Sequence, residues 1–379
     1  MFCKVIDNLG DAAVCWRLAQ QLAAEHDAQV RLWIDALETL HALIPDVVVD
    51  RESQPVSGVV VRHWSAAASD FGPPADIAVD AFGVGLPDTY VAAMARRDPP
   101  SLWIILEYLS AEAWVAGHHG LPSPHPQLLI ARHFFFPGVV EGTGGVLKEA
   151  SLDARRDTFQ RDRSQQAGFW RNLGFDPPEP GSITVSLFGY ENPAVAELMR
   201  VWSLGAHPVI AVIPPSSLRT QASVFFDVVD PEDASTLRRG NLEARWVPFL
   251  PQSGYDELLW ACDWNFVRGD DSFVRAQWAR RPFVWHIYPQ HESAHWAKLD
   301  AFLDVYCTGL EPPSREALRS LWHGWNDPAT PVQRIGAAWR ALDAHQDRVR
   351  QHAHAWALRL AIPGDLAANL AHFCEERLK

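Results

Sequence analysis

The chain is poor in cysteine and in basic charge, and each shortage narrows what it can be. Five cysteines, Cys3, Cys15, Cys262, Cys307 and Cys374, are scattered over 379 residues, with no C-x-x-C pair. An odd, dispersed set supports neither a disulfide framework nor a zinc ribbon and suits a reduced, cytoplasmic chain. Lysine and arginine number 33 against 46 acidic residues, a formal net charge of −13. That argues against binding nucleic-acid phosphates. No apolar run is long enough to span a bilayer and no signal peptide opens the chain, so no membrane association is expected. Internal repeats, low-complexity tracts, a G-x-G-x-x-G and a P-loop are also missing. Met1 sits almost inside a strand-like run, "FCKVID", and the natural start is expected a few residues earlier.

What is present reads as an ordinary globular protein. The apolar set is 48% and charged residues 21%, and the length supports two cores. Tryptophan reaches 17, a large apolar load expected in cores and pocket walls.

Short apolar runs alternate with helical patterns, the signature of an α/β fold. The first half offers "FCKVID", "QVRLWID", "VVVRHW", "DIAVDAF", "SLWIILEYL" and "LLIARHFFF" as strands, with "AAVCWRLAQQLAAE" as a helix. The charge-dense stretch 150–172 is expected to be a solvated helix or lid. "DPPEPGS", 176–182, cannot continue a helix and reads as a linker. A second series follows: "SITVSLFGY", "PVIAVIP", "ARWVPFLP", "DWNFVRG" and "PFVWHIYP", interleaved with helices. The expectation is two Rossmann-like domains, 1–176 and 183–350, with a cleft between them. Helices over 351–379 are expected to pack back on the first domain.

In open α/β sheets, ligands bind beyond the carboxyl ends of strands. That rule selects five turns. In "VIDNLGDAA", Asp7 ends a strand, Gly10 permits a tight turn and Asp11 opens a helix. Asp11 is either an N-cap or half of a carboxylate pair able to act as general base. "SLFGYEN" places Phe188 and Tyr190 at a strand end; "PFLPQ" places Phe249, Leu250, Pro251 and Gln252 at another. Each alone reads as packing. Together they could sandwich a nucleobase, with Gln252 reading its polar edge.

In "NFVRGDDSF" a strand ends at Arg268, Gly269 turns the chain, and a helix begins near Asp271 or Ser272. A helix N-terminus with Arg268 and Ser272 as donors suits a diphosphate. Asp270 and Asp271 suit sugar hydroxyls or capping instead. The fifth turn, "PQHESAHWAKL", contains His-Glu-x-x-His at His291, Glu292 and His295. On a helix that pattern places two zinc ligands on one face. No third ligand follows in a matching signature, and the face continues through Leu299, Phe302 and Tyr306. An apolar stripe is the simpler reading, and no metal is expected.

These turns together resemble one family closely, the protein-arginine rhamnosyltransferases of elongation factor P (EarP). The matching stretches include "FCKVIDNLGD", "LEYLSAEAWV", "HGLPSPHP", "SLFGYEN", "PFLPQSGYDELLWACDWNFVRGDDSFVRAQWA" and "PFVWHIYPQHESAHWAKLDAFL", across both halves of the chain. The resemblance implies a GT-B glycosyltransferase fold with an acceptor side in the first domain and a donor side in the second. It implies inverting, metal-independent transfer of L-rhamnose from dTDP-β-L-rhamnose to an arginine of elongation factor P, with no cofactor. It makes Asp11 the general base, Asp7 its companion at the guanidinium, and Asn8, Leu9 and Gly10 the turn that approaches the donor sugar. Phe188, Tyr190, Phe249 and Gln252, with Leu250 and Pro251, resemble a thymidine pocket. Arg268, Gly269, Asp270, Asp271 and Ser272 resemble the loop that holds diphosphate and ribose. Asp270 stands where the family usually has glutamate; it joins Asp7 and Asp11 as a catalytic candidate, one methylene shorter than the family residue. His291 departs from the family's Pro-Gln-x-Glu-x-Ala-His pattern, where an acidic residue is usual, while Gln290, Glu292 and His295 match. Three readings compete: a GT-B transferase with another nucleotide sugar or a small-molecule acceptor, a zinc peptidase, and a non-catalytic module that docks elongation factor P.

Overall fold

The computed structural model describes residues 1–7, 9–65, 70–229, 231–289 and 294–378. It divides into two compact units, Met1–Ala150 with Arg359–Lys379, and Ser151–Leu358. Each has the Rossmann-like build of a GT-B protein: a mostly parallel sheet with helices packed on it.

In the first unit the order is β1 (Phe2–Cys3), α1 (Gly10–Glu25), β2 (Val30–Ile34), α2 (Leu37–Leu43), β3 (Ser53–Val56), β4 (Val59–His63), β5 (Ile77–Ala81), α3 (Asp88–Ala95), β6 (Leu102–Leu106), α4 (Val115–His118), β7 (Pro122–Pro124) and β8 (Ala131–Phe135). The sheet runs β3-β4-β2-β1-β5-β6-β8-β7. Its six inner strands are parallel and its outer strands, β3 and β7, pair antiparallel. Valine and isoleucine fill the parallel strands because both of their faces are covered. Helix α1 is buried on two sides: Ala12, Cys15, Trp16 and Ala19 join one cluster, Val14 and Leu18 another.

The second unit opens with α5 (Leu152–Arg161) and α6 (Arg163–Asn172). It continues through β9 (Ile183–Leu187), α7 (Ala194–Leu204), β10 (Val209–Ile213), α8 (Ser217–Phe225), β11 (Thr236–Arg239), β12 (Leu242–Trp246), α9 (Gln252–Ala261), β13 (Trp264–Arg268), α10 (Asp271–Trp278) and β14 (Phe283–His286). Helices α11 (Ala294–Tyr306), α12 (Pro312–Asn326), α13 (Gln333–Asp343) and α14 (Gln346–Leu360) follow. Its sheet runs β11-β12-β10-β9-β13-β14, with only β11 antiparallel. The tryptophans carry this core: Trp202, Trp246, Trp278, Trp322 and Trp325 are almost fully buried. Helix α11 turns Leu299, Phe302 and Tyr306 inward, the stripe that the spacing predicts.

The stretch 150–172 is not a solvated lid. Asp162 breaks it into two helices and caps the second, accepting the N–H groups of Ser164 and Gln165 at 2.8 and 3.2 Å. Leu152, Phe159, Phe169 and Trp170 are buried. The Arg156 guanidinium, with no exposed surface, donates to the Trp278 carbonyl at 2.8 Å and pairs with Asp153 and Asp157 at 2.7 Å each. The charges therefore balance one another around one buried arginine, and the segment packs as part of the second unit. The boundary accordingly falls at Ala150/Ser151, not after 176. The last helix, α15 (Leu366–Leu378), belongs to the first unit; its Leu366, Ala367, Leu370 and Cys374 complete the cluster that holds Val14, Leu18, Ile104 and Leu106.

Both sheets contain the feature that locates a site. The chain enters each sheet at an inner strand, builds outward on one side, then returns to build on the other. The switch points lie between β1 and β5, and between β9 and β13. Ligands of open α/β sheets gather at the carboxyl ends of strands flanking such points.

Candidate active site

At the first switch point, β1 stops at Cys3, so Asp7 lies in the following turn and not at a strand end. This turn is held by side chains from both flanks. The Val5 N–H donates to Asp35 Oδ1 at 3.0 Å. Asp11 Oδ2 accepts the N–H groups of Ile6 and Asp7 at 2.7 and 2.9 Å. The Gly10 N–H closes the turn on the Asp7 carbonyl at 2.7 Å.

Asp11 is not the N-cap of α1. Leu9 occupies that position, without a side-chain hydrogen bond. Asp11 is the second helical residue, 2% exposed, and reaches back over the turn. A Cβ added to Gly10 would lie 3.1 Å from Asp7 Oδ2. Glycine thus lets the Asp7 carboxylate lie against the first residue of α1, where the helix dipole favours negative charge. Asp7 and Asp11 are brought to one turn as expected. Asn8 lies outside the described residues.

The neighbouring strand adds an acid that the sequence did not single out. Asp80 in β5 is 2% exposed and accepts the Gly85 N–H at 3.2 Å. Burial pushes its carboxyl up to about 6. Beyond it, Phe82 takes φ +62° and stacks on Tyr108, with centroids 4.4 Å apart at 15°.

At the second switch point, the residues after β9 meet the end of β13. The Arg268 guanidinium lies 4.6 Å over the Phe188 ring and 4.9 Å over the Tyr190 ring, a cation–π pair on one side chain. Tyr255 from α9 closes edge-on against Phe188, with centroids 5.5 Å apart. Tyr190 meets His286 and Tyr288 edge-on at 5.2 and 5.5 Å. His286 and Tyr288 lie at the end of β14, so the strand-end rule applied to "PFVWHIYP" would have found them.

The loop after Arg268 is tied to itself. Gly269 takes φ +62°, a region that a side chain disfavours, and its carbonyl accepts from Trp285 Nε1 at 2.9 Å. Ser272 Oγ accepts the Arg268 N–H at 3.2 Å and donates to the Arg268 carbonyl. Asp270 is the N-cap residue of α10 by position, without a side-chain cap bond, and Asp271 is the first helical residue, buried. One turn inside, Arg275 pairs with Asp256 through two bonds of 2.9 and 2.7 Å, joining α10 to α9.

The β12–α9 turn supplies the open aromatic. Phe249 is 37% exposed, Leu250 and Pro251 are half-buried, and Gln252 is buried as the first residue of α9. The two rings expected to sandwich a base therefore differ: Phe188 is already covered by Arg268, while Phe249 presents surface. Of the His-Glu-x-x-His stretch, Gln290, His291 and Glu292 lie outside the described residues; His295 is half-buried in α11, its ring 5.2 Å from that of Trp296. Among the described residues, no three His, Cys, Asp or Glu side chains come together as a metal-holding group. No described helix is long and apolar enough to cross a membrane.

The two switch points thus present a carboxylate pair in one unit and an aromatic-flanked arginine at a helix start in the other. The same chain is similar to proteins of known activity over its full length. A protein-arginine rhamnosyltransferase of Pseudomonas putida is 44% identical over 378 residues, covering 100% of this chain and 98% of that protein. One from Pseudomonas aeruginosa is 41% identical over 379 residues, covering 98% and 97%. A solved structure, described as the structural basis for EarP-mediated arginine glycosylation of translation elongation factor EF-P, superposes with a TM-score of 0.69 at 32% identity, covering 99% of this chain and 98% of that one. The model of the elongation factor P rhamnosyltransferase EarP matches residues 1–375. The chain belongs to the EarP family.

Proposed function

We propose that this protein transfers L-rhamnose from dTDP-β-L-rhamnose to an arginine side chain of elongation factor P, with inversion at the anomeric carbon. Family membership supports the arginine rhamnosyltransferase activity. The observation that carries the mechanism is the Asp7–Asp11 pair on one pinned turn.

Arginine is a poor nucleophile: it keeps its proton up to a pKa above about 12, and its lone pairs are delocalised. Transfer needs the guanidinium fixed in one orientation and a proton removed as the C–N bond forms. Two carboxylates on one turn divide that work: Asp7 pairs with the guanidinium and Asp11 accepts the proton. The two N–H bonds to Asp11 Oδ2 hold its carboxylate in place before the acceptor arrives. On the donor side, negative charge grows on the departing diphosphate. Arg268 and the N–H groups at the start of α10 stabilise it, and Phe249 offers a face to the thymine. Asp270, beside these groups, is assigned to the sugar hydroxyls. Inversion follows when the guanidinium attacks the face opposite the diphosphate. In this scheme the carboxylates and Arg268 of the chain meet the charges of the two substrates, and the reading includes neither a cofactor nor a metal.

The direct test is incubation with elongation factor P and dTDP-β-L-rhamnose. A single deoxyhexose mass added to one arginine, with an α-anomeric signal in the product, is expected. No addition with this donor, and addition with another nucleotide sugar, would overturn the donor assignment.

A further inference from the structure

Arg268 and His286 are register partners on the adjacent parallel strands β13 and β14. Their side chains therefore leave the sheet side by side. The imidazole is 6% exposed. On one side it packs edge-on against Tyr190, at 5.2 Å and 76°; on another it meets Trp325 at 5.9 Å and 66°. Gly189, between Phe188 and Tyr190, rests on it: a Cβ there would lie 3.0 Å from His286 Nδ1 and 2.7 Å from Leu218 Cδ1.

Nδ1 is buried without a hydrogen-bond partner among the described residues. Burial first, and then the Arg268 charge, lower this imidazole to about 3, so it is neutral at physiological pH. An unpartnered buried polar atom weakens a core. Here it stands beside Arg268, whose guanidinium lies over the Phe188 and Tyr190 rings. His286 thus adjoins three parts of the donor half-site: Arg268 through the strand pairing, and the Tyr190 ring and Gly189 through its own ring.

We propose that His286 is a positioning residue for donor binding, its ring clamping the Phe188–Gly189–Tyr190 turn so that Arg268 holds one geometry before the nucleotide diphosphate arrives. A loose turn would let the guanidinium sample several rotamers, and binding would then have to order it. This inference rests on the reading of the Arg268 loop as the diphosphate site.

The test compares His286→Ala, His286→Leu and His286→Phe with the wild type. The measurements are dTDP-rhamnose affinity by calorimetry, and steady-state rates with both substrates varied. In the alanine and leucine variants, the donor KM should rise about tenfold or more, while the elongation factor P KM and kcat stay within about threefold. His286→Phe, which restores a ring against Tyr190, should recover donor KM to within about threefold of wild type. Equal donor affinity in the leucine and phenylalanine variants would overturn the inference. So would a loss spread evenly over kcat and both KM values alongside a lower Tm, the signature of a merely structural residue. Leucine and phenylalanine keep the comparison usable if the alanine variant does not fold. Wild-type protein that ignores dTDP-rhamnose but binds another nucleotide sugar would sink the donor assignment alone; the same variants then test the clamp with that nucleotide.

Discussion

The carboxylate of Asp11 reaches back across its own turn to the N–H of Ile6, at 2.7 Å, and so a helical residue fixes the loop that precedes its helix. The same oxygen holds the Asp7 N–H. Asparagine keeps an oxygen for both bonds but cannot take a proton. Asp11→Asn should therefore leave the turn and donor affinity close to wild type and cut transfer by about 10²–10⁴-fold. Intact-mass assay of elongation factor P, with dTDP-rhamnose calorimetry beside it, reads both. Near wild-type turnover would remove Asp11 from the base role.

Phe249 keeps 37% of its surface exposed at the end of β12, unlike the covered Phe188. Truncation there costs the fold little. Phe249→Ala should raise the dissociation constant for dTDP about tenfold, the scale of one lost base–aromatic stack, with Tm nearly unchanged. An unaltered constant would refute stacking.

Arg275 and Asp256 are only 1% and 2% exposed and form two bonds. Removing one partner strands the other charge in the core. Arg275→Met should destabilise the second unit by about 3–5 kcal/mol. Helices α9 and α10 begin at Gln252 and Asp271, so donor binding should weaken as well. The double variant Asp256→Leu/Arg275→Met should recover part of the loss in urea unfolding. A double variant no better than the single would mean that the stranded charge is not the cause.

Asp80 is a buried acid raised from 3.8 to about 6, chiefly by burial. For an acid raised in the folded state, the penalty is complete above the folded value and absent below the unfolded one. Its contribution to stability therefore improves as pH falls from about 6 towards about 4. Asp80→Asn should stabilise the first unit at pH 8 by up to about 3 kcal/mol and make little difference at pH 4. Denaturant curves at the two pH values decide it; equal effects at both would contradict the assignment.

Much of the fold was legible because parallel strands buried on both faces write themselves as short apolar runs. β2, β4, β5, β6, β8, β9, β10, β13 and β14 all fall within expected runs, while β12 begins two residues before "ARWVPFLP". The antiparallel outer strands did not: "SQPV", "PSP" and "TLRR" carry prolines or charges and exist through a neighbour's backbone. Charge density misled at 150–172, because pairing of Asp153 and Asp157 with a buried Arg156 is a three-dimensional fact. The turns after β1, β9, β12 and β13 were found by the strand-end rule and by the family motifs. The strand-end position of His286 was legible in "PFVWHIYP", but its register with Arg268 is a tertiary fact that the stretch does not carry. Asp80 was missed because its meaning comes from burial beside Phe2 and from the Gly85 N–H.

The chain returns to its first unit only at Arg359. During synthesis the ribosome delivers all of Ser151–Leu358 before the residues of α15 emerge. The cluster that holds α1 and β6 stays open on that side until Leu366, Ala367, Leu370 and Cys374 arrive. The second unit can thus finish folding while the unit bearing Asp7 and Asp11 is still waiting for its last helix. A nascent or prematurely terminated chain of this protein would be a folded second unit attached to an unfinished first unit, and a truncation of some twenty residues at the far end would act on the unit that was translated first.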